Sequence, residues 1–238
     1  MSLPTTKSPE QLSTNLLVVH DRPLPPNTKR IYLIRHARAK SEGTHTPMDP
    51  ELAASGFTQL KALHTYFATR DVDLIVTSEL LRAKATAESL QALHPNTNVI
   101  IEPDLNEMHT IGNWREYSAQ DALRLKRARL YQPDQQCALG ETPRQFHRRI
   151  SRVWEHITKL QACNIAVVTH LGVLSVIIGL AFGLTENHDT AFTVAQPHAA
   201  VSELWIANTC QDPTLPDQVT IVRYLCYYDF LKPDLISY

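Results

Sequence analysis

The chain has 238 residues, 43% hydrophobic and 20% charged, with a formal net charge of −1. That length buries a sizeable core, the composition excludes intrinsic disorder of the whole chain, and the near-zero charge excludes a global pull toward nucleic acid or anionic lipid. The seven glycines (43, 56, 112, 140, 172, 179 and 183) complete neither G-x-G-x-x-G nor G-x-x-x-x-G-K-[ST], so any phosphate is held without a glycine-rich cradle.

Residues 1–29 carry Pro4, Pro9, Pro23, Pro25 and Pro26 and have no continuous apolar run. They are expected to form a loosely ordered extension, not a secretory signal, ahead of one domain over 30–238. Arg30–Ile34 is an apolar run that predicts a strand. Leu52–Arg70 comes next as a helix, with Phe57, Leu60, Leu63 and Phe67 at helical spacing. Val72–Val76 predicts a second strand, after which Ser78 is a candidate N-cap for a helix with Leu80, Ala83, Ala87 and Leu90 on one face. Asn98–Glu102 predicts a third strand, and Ser118–Leu130 a helix. Thr142, Pro143 and Gln145 form a capping box for a longer helix with the stripe Phe146, Ile150, Val153, Ile157 and Leu160. Ile165–Thr169 is a β-branched run, succeeded by a Leu/Ile-rich helix. Val201–Ala207 and Gln218–Cys226 are late strands.

Ile165–Leu184 approaches the length of a bilayer span. Its division into a strand and a helix, and His170 at its centre, argue for a buried globular segment. Cys137, Cys163, Cys210 and Cys226 are too dispersed for a C-x-x-C site and are read as small core residues of a reducing cytoplasm. Eleven histidines form no H-E-x-x-H and no compact cluster with cysteine, so neither metal nor cofactor is expected. Strands alternating with helices, joined by connections long enough for crossovers, predict an α/β fold: a three-layer α/β/α sandwich with a mostly parallel sheet.

In such sheets, ligands bind beyond the carboxyl ends of the strands. Arg35 and His36 come after the first strand, Thr77, Ser78 and then Arg82 after the second, Leu105–Glu107 after the third and His170 after the fourth. Two histidines, two arginines and a glutamate therefore converge on one edge. The set suits phosphoryl transfer through histidine. Guanidinium forks bind phosphate oxygens, a neutral imidazole is a competent nucleophile, and a carboxyl group can protonate the leaving alkoxide. The segment 124–152 adds eight basic residues, including Arg144, Arg148, Arg149 and Arg152, against Asp134 and Glu141. It is either a solvated helix face or a positive wall for a polyanionic substrate.

These residues resemble the histidine phosphatase superfamily, which includes cofactor-dependent phosphoglycerate mutase. IYLIRHARA (31–39) is similar to its nucleophile motif and LAASGFTQLKAL (52–63) to its Leu-Ser/Thr-x-x-Gly-x-x-Gln-Ala helix. TSELLRAKATA (77–87) resembles its Ser-x-Leu-x-Arg-Ala element, and LNEMHTIGNW (105–114) the segment carrying the acid. Gly140-Glu141-Thr142 and VVTHLGVL (167–174) complete six motifs in the family's order. Ala37 stands where glycine is commoner, Arg38, Ala39 and Glu42 replace the usual hydroxyl and amide, and Leu171 replaces a glycine.

The resemblance implies a phosphoglycerate mutase-like fold and a metal-independent phosphatase acting on phosphate monoesters. His36 would carry the phosphoryl group, Glu107 would donate the proton, and Arg35, Arg82 and His170 would line the phosphate pocket. Thr142 is either a further phosphate contact or a helix cap alone, and His109 a surface or supporting residue. The implied substrate is a small phosphorylated metabolite met in the cytoplasm, with no nucleic-acid or membrane partner and a homodimer left open. A mutase, a phosphohistidine-protein phosphatase and a non-catalytic phospholigand binder are the alternatives.

Overall fold

A computed structural model describes residues 28–40, 49–108, 141–186, 192–208 and 218–238. The expected helix at 118–130, His109 and most of the basic segment lie outside them, as do residues 1–27. The first strand, β1 (Thr28–Arg35), starts two residues ahead of its apolar run, because Thr28 and Lys29 pair antiparallel with Ala207 and Ile206; the Lys29 ammonium also binds the carbonyls of Thr158 and Leu160, each at 2.5 Å. It is succeeded by α1 (Ala54–Phe67), β2 (Leu74–Thr77), α2 (Leu81–Leu93) and β3 (Asn98–Ile101). Then come α3 (Pro143–Lys159), β4 (Asn164–Thr169), α4 (Leu171–Ala181), β5 (Val201–Asn208) and β6 (Gln218–Tyr227).

The strands lie in the order β3-β2-β4-β1-β5-β6. β1 pairs parallel with β4, and β2 parallel with both β4 and β3. The late strands reverse direction: β5 runs antiparallel to β1, and β6 antiparallel to β5. The sheet is thus mostly parallel, with an antiparallel flank.

Alternation along β1 divides the interior into two layers. Ile31 and Leu33 face one side, where Phe146, Ile150, Val153 and Ile157 of α3 and Val173, Leu174, Ile177 and Ile178 of α4 pack. Tyr32 and Ile34 face the other, against Leu60, Leu63 and Phe67 of α1 and Ala83, Ala87 and Leu90 of α2. The apolar segment after Asn164 is accordingly a buried strand and an eleven-residue helix, and no helix among the described residues is long and apolar enough to cross a membrane. Cys163 and Cys226 are free thiols, but Cys163 is exposed and Cys226 only half-buried, so neither is the core residue expected of it; Cys137 and Cys210 lie outside the described residues.

Two local expectations are corrected. Phe57 is 56% exposed, because the inward stripe of α1 runs through Gly56, Gln59, Leu60, Leu63, Tyr66 and Phe67. A β-carbon on Gly56 would run into the Arg38 carbonyl, so the close-packed position admits only glycine and Phe57 falls one step outside it. Ser78 does not cap α2. Leu80 holds the N-cap position, and the Ser78 hydroxyl is drawn to His170 instead.

Candidate active site

The carboxyl ends of β1, β2 and β4 meet because the strands are locked in register. The His36 backbone N–H donates to the Thr169 carbonyl at 2.9 Å and that of Ser78 to Val168 at 3.2 Å. Every side chain carried just past these ends is therefore fixed by backbone hydrogen bonds. His36 is 7% exposed and His170 wholly buried, with their rings 5.1 Å apart.

His36 Nδ1 lies 2.8 Å from the Ala37 carbonyl. A carbonyl only accepts, so this contact places the proton on Nδ1 and the lone pair on Nε2. Arg82 Nε–H points at that same Nε2, at 3.3 Å. Burial, with His170 and Arg82 close by, pushes His36 well below the usual 6.5. Burial acts on His170 in the same direction, reinforced by Arg82, Arg35 and Arg149. Both imidazoles are held neutral at neutral pH. His170 Nε2 sits 2.7 Å from Ser78 Oγ, and the Leu80 N–H already donates to that oxygen at 3.2 Å.

The arginines are unusually enclosed. Burial brings Arg35 down to about 10 and lowers Arg82 too; Glu107 opposes both shifts, which marks its carboxylate as a neighbour of both guanidinium groups. Each stays charged at neutral pH. Arg35 Nη1 donates to the Gln196 carbonyl at 2.6 Å and Nη2 to His198 Nε2 at 3.0 Å. Arg82 Nη1 lies 3.5 Å from Asp49 Oδ1. Arg35 Nε, Arg82 Nη1 and His170 Nδ1 are buried and have no hydrogen-bond partner among the described residues. Buried polar groups left open are costly; these, with the Arg82 group facing only Asp49 at 3.5 Å, give the strand ends positive charge and unpaired nitrogens that an anion could take up.

Glu107 sits at the start of α4. Its carboxylate accepts the Met108 N–H at 2.9 Å and the Gly172 N–H at 3.2 Å. The segment before it is clamped by Arg149, whose Nη1 donates to the carbonyls of Asp104 (2.6 Å) and Asn106 (3.1 Å) while Nη2 binds Glu141 Oε1 at 2.6 Å. Arg149 is only 7% exposed. In the described part of the basic segment, then, Arg149 is turned inward to hold the backbone ahead of Glu107 and does not form part of an exposed positive wall. Arg148 forms an exposed pair with Glu186.

Thr142 caps α3: its hydroxyl accepts the Gln145 N–H at 3.1 Å, and the Gln145 side chain accepts the Thr142 N–H at 2.8 Å. Among the described residues, no group of three metal-binding side chains forms. Sequence reasoning missed His198, whose ring lies 5.3 Å from that of His36. It enters the site from the beginning of β5, the strand that runs the other way.

A profile of the histidine phosphatase superfamily (branch 1) matches residues 31–213. The chain belongs to the histidine phosphatase superfamily. Within it, the chain is 34% identical over 177 residues to the adenosylcobalamin/alpha-ribazole phosphatase of Escherichia coli, covering 70% of this chain and 86% of that one. The Salmonella typhimurium protein of the same name is 31% identical over 161 residues, 63% and 77% of the two chains. Among solved structures, the alpha-ribazole phosphatase of Shigella flexneri superposes with a TM-score of 0.60 at 28% identity, covering 81% of this chain and 95% of that one. A mycobacterial glucosyl-3-phosphoglycerate phosphatase shares the fold, with a TM-score of 0.63 at 21% identity over 82% and 98% of the chains. By family and by relatives, this histidine phosphatase is a phosphomonoesterase-type hydrolase of the phosphoglycerate mutase-like fold.

Proposed function

We propose that the protein hydrolyses phosphate monoesters of small metabolites through a phosphohistidine on His36. The observation that carries this reading is the gathering of Arg35 Nε and His170 Nδ1, buried and without a hydrogen-bond partner among the described residues, and of Arg82 beside an imidazole whose lone pair is on Nε2 and faces Arg82 Nε at 3.3 Å. Arginine charge and a neutral histidine N–H stabilise the equatorial oxygens in transfer, which is chiefly what phosphoryl transfer asks of a protein. His36 Nε2 attacks phosphorus as the bond to the alkoxide oxygen breaks, and the Glu107 carboxyl proton passes to that oxygen. Water then attacks the phosphohistidine, Glu107 takes up its proton, and the N–P bond breaks to release phosphate. Thr142, next to Glu141 at the head of α3, is a further candidate phosphate contact through its hydroxyl proton.

A rapid acid or alkaline quench with ³²P-labelled substrate tests the covalent step. A phosphoramidate is labile in acid and stable in base, so label should survive only the alkaline quench. His36→Ala should abolish both label and turnover, and His170→Ala should weaken binding and slow transfer. Appreciable turnover by His36→Ala overturns the mechanism. A substrate panel headed by alpha-ribazole 5′-phosphate, prompted by the relatives' names, addresses the substrate. Label delivered to an added alcohol in preference to water would favour the mutase reading, and release from phosphohistidine protein the protein-phosphatase reading.

A further inference from the structure

Behind Arg35 runs a line of contacts that phosphoryl transfer does not itself use. Arg35 Nη2 reaches His198 Nε2, and His198 Nδ1 lies 2.9 Å from the Ser237 carbonyl and 3.1 Å from its hydroxyl. The same carbonyl accepts the His198 backbone N–H at 2.8 Å. Gln59, wholly buried, donates to the Leu235 carbonyl at 2.7 Å and to Ser237 Oγ at 3.2 Å. Its Oε1 accepts the Arg38 N–H at 2.7 Å, two residues past the nucleophile. Residues 235–237 are thus tied to the nucleophile loop and to the phosphate-site arginine at once.

The chemistry of the ring gives this line a direction. A carbonyl at Nδ1 takes a proton from it, so the neutral His198 has its lone pair on Nε2. That lone pair accepts from Arg35; the other tautomer would set N–H against N–H. The second arm of Arg35 is fixed by the Gln196 carbonyl. Gln196 is in turn held by the carbonyls of Leu33 (3.2 Å) and Ala200 (2.7 Å) and by the Ser202 hydroxyl (2.7 Å). With one N–H of each terminal nitrogen held, the plane of the guanidinium is fixed, and Nε–H, buried and without a hydrogen-bond partner among the described residues, is presented to an anion. The turn that delivers His198 is closed by Ala199, a residue at φ 61° whose N–H donates to the Arg35 and His36 carbonyls at 3.1 and 3.3 Å.

We propose that His198 is a positioning residue of the phosphate site, and that the 235–237 segment acts through it by fixing the tautomer that orients Arg35. This rests on the reading of Arg35 as a phosphate ligand. The side chain thereby acquires a role that no strand-end motif assigns, and the last described segment of the chain becomes part of the phosphate site without touching the anion.

The test uses inorganic phosphate, both as a ligand in titration calorimetry and as an inhibitor of p-nitrophenyl phosphate hydrolysis, with thermal unfolding recorded for each variant. Glutamine at 198 can present an acceptor oxygen where Nε2 stood; asparagine can keep the Ser237 contact but is too short to reach Arg35. His198→Gln should therefore bind phosphate within about threefold of the parent, and His198→Asn about tenfold more weakly, the scale of one lost hydrogen bond to a charged group. A chain ending at Ile236 should fall between the two, with KM for p-nitrophenyl phosphate rising more than kcat falls. Equal losses in the Gln and Asn variants, or parental affinity in both Asn and the shortened chain, overturn the inference. Should His198→Asn fail to fold, the shortened chain decides: parental affinity there overturns the inference, and weakened binding supports it. Arg35→Ala separates the two levels. If it leaves phosphate binding intact, the phosphate-site reading fails and takes this inference with it; if it abolishes binding while His198→Asn does not, only the inference fails.

Discussion

Gly172 and Glu107 fit together only because the glycine lacks a side chain. A β-carbon at 172 would run into Glu107 Oε1 and would lie 3.3 Å from Glu107 Cδ and 3.4 Å from Phe146 Cζ. The atom in the way is the tip of a flexible side chain, so Gly172→Ala should displace the carboxylate at little cost to folding. Turnover of an alkyl phosphate should drop toward that of Glu107→Gln, a loss within the ~10²–10⁴-fold range of general acid assistance. p-Nitrophenyl phosphate, whose phenolate leaves without a donated proton, should be much less affected. Equal losses on the two substrates would remove Glu107 from the role of acid.

Neighbouring arginines of α3 should behave oppositely. Arg149 and Glu141 form a buried pair, with side-chain exposures of 9% and 13%, and Arg149 also holds the backbone ahead of Glu107. Removing one member of such a pair strands the other's charge, so Arg149→Ala should cost about 3–5 kcal/mol in urea unfolding. Arg148 and Glu186 meet at the surface, and Arg148→Ala should cost no more than ~1 kcal/mol. Similar unfolding midpoints for the two variants would contradict the division.

Acid should loosen the protein through its buried imidazoles. Burial beside Arg35 brings His198 down to about 4 from 6.5, so between these values the unfolded chain binds a proton that the folded one refuses. Stability from this group is complete above pH 6.5 and is lost as pH falls toward 4, by about 3 kcal/mol in all. His36 and His170 shift in the same direction and steepen the slope. Unfolding free energy measured from pH 7 to pH 4.5 should fall less steeply in His198→Gln than in the parent. Identical slopes would mean that His198 titrates normally in the folded state.

Chelation should leave turnover intact. The positive charge needed at phosphorus is present in Arg35 and Arg82, and no trio of metal-binding side chains occurs among the described residues. Loss of activity in EDTA, restored by Mg²⁺ or Zn²⁺, would require a different electrostatic account.

Much of the site was legible in the sequence because parallel strands deliver their chemistry at their carboxyl ends. His36, Arg82, Glu107 and His170 all stand shortly after the end of an apolar run, where a parallel sheet gathers its ligands. His198 could not be found in that way, since β5 is antiparallel and its entry, not its exit, lies at that edge. The readable signal was a histidine just ahead of the strand segment Val201–Asn208, which means something only once strand direction is known. The Ser237 contact was equally hidden, because it depends on where the chain turns after β6. Ser78 had the composition of a helix cap, but the short link from β2 set it against His170 first. The stripe of α1 held at Leu60, Leu63 and Phe67, and only Phe57 was turned outward, because a backbone approach at Gly56 outweighed an aromatic side chain.

The two layers that sandwich the sheet carry different parts of the chemistry. Arg82 stands on α2, packed with α1 over Tyr32 and Ile34, whereas Glu107 and its Arg149 clamp rest on the α3–α4 side over Ile31 and Leu33. Under the proposed mechanism, the Arg82 part of the grip on the anion and the help of Glu107 to the departing alcohol hang from opposite faces of one strand, while His170, at the head of α4, adds a second hold on the anion from the Glu107 side. Loosening one layer should change how tightly phosphate is held, and loosening the other how much the reaction depends on its leaving group.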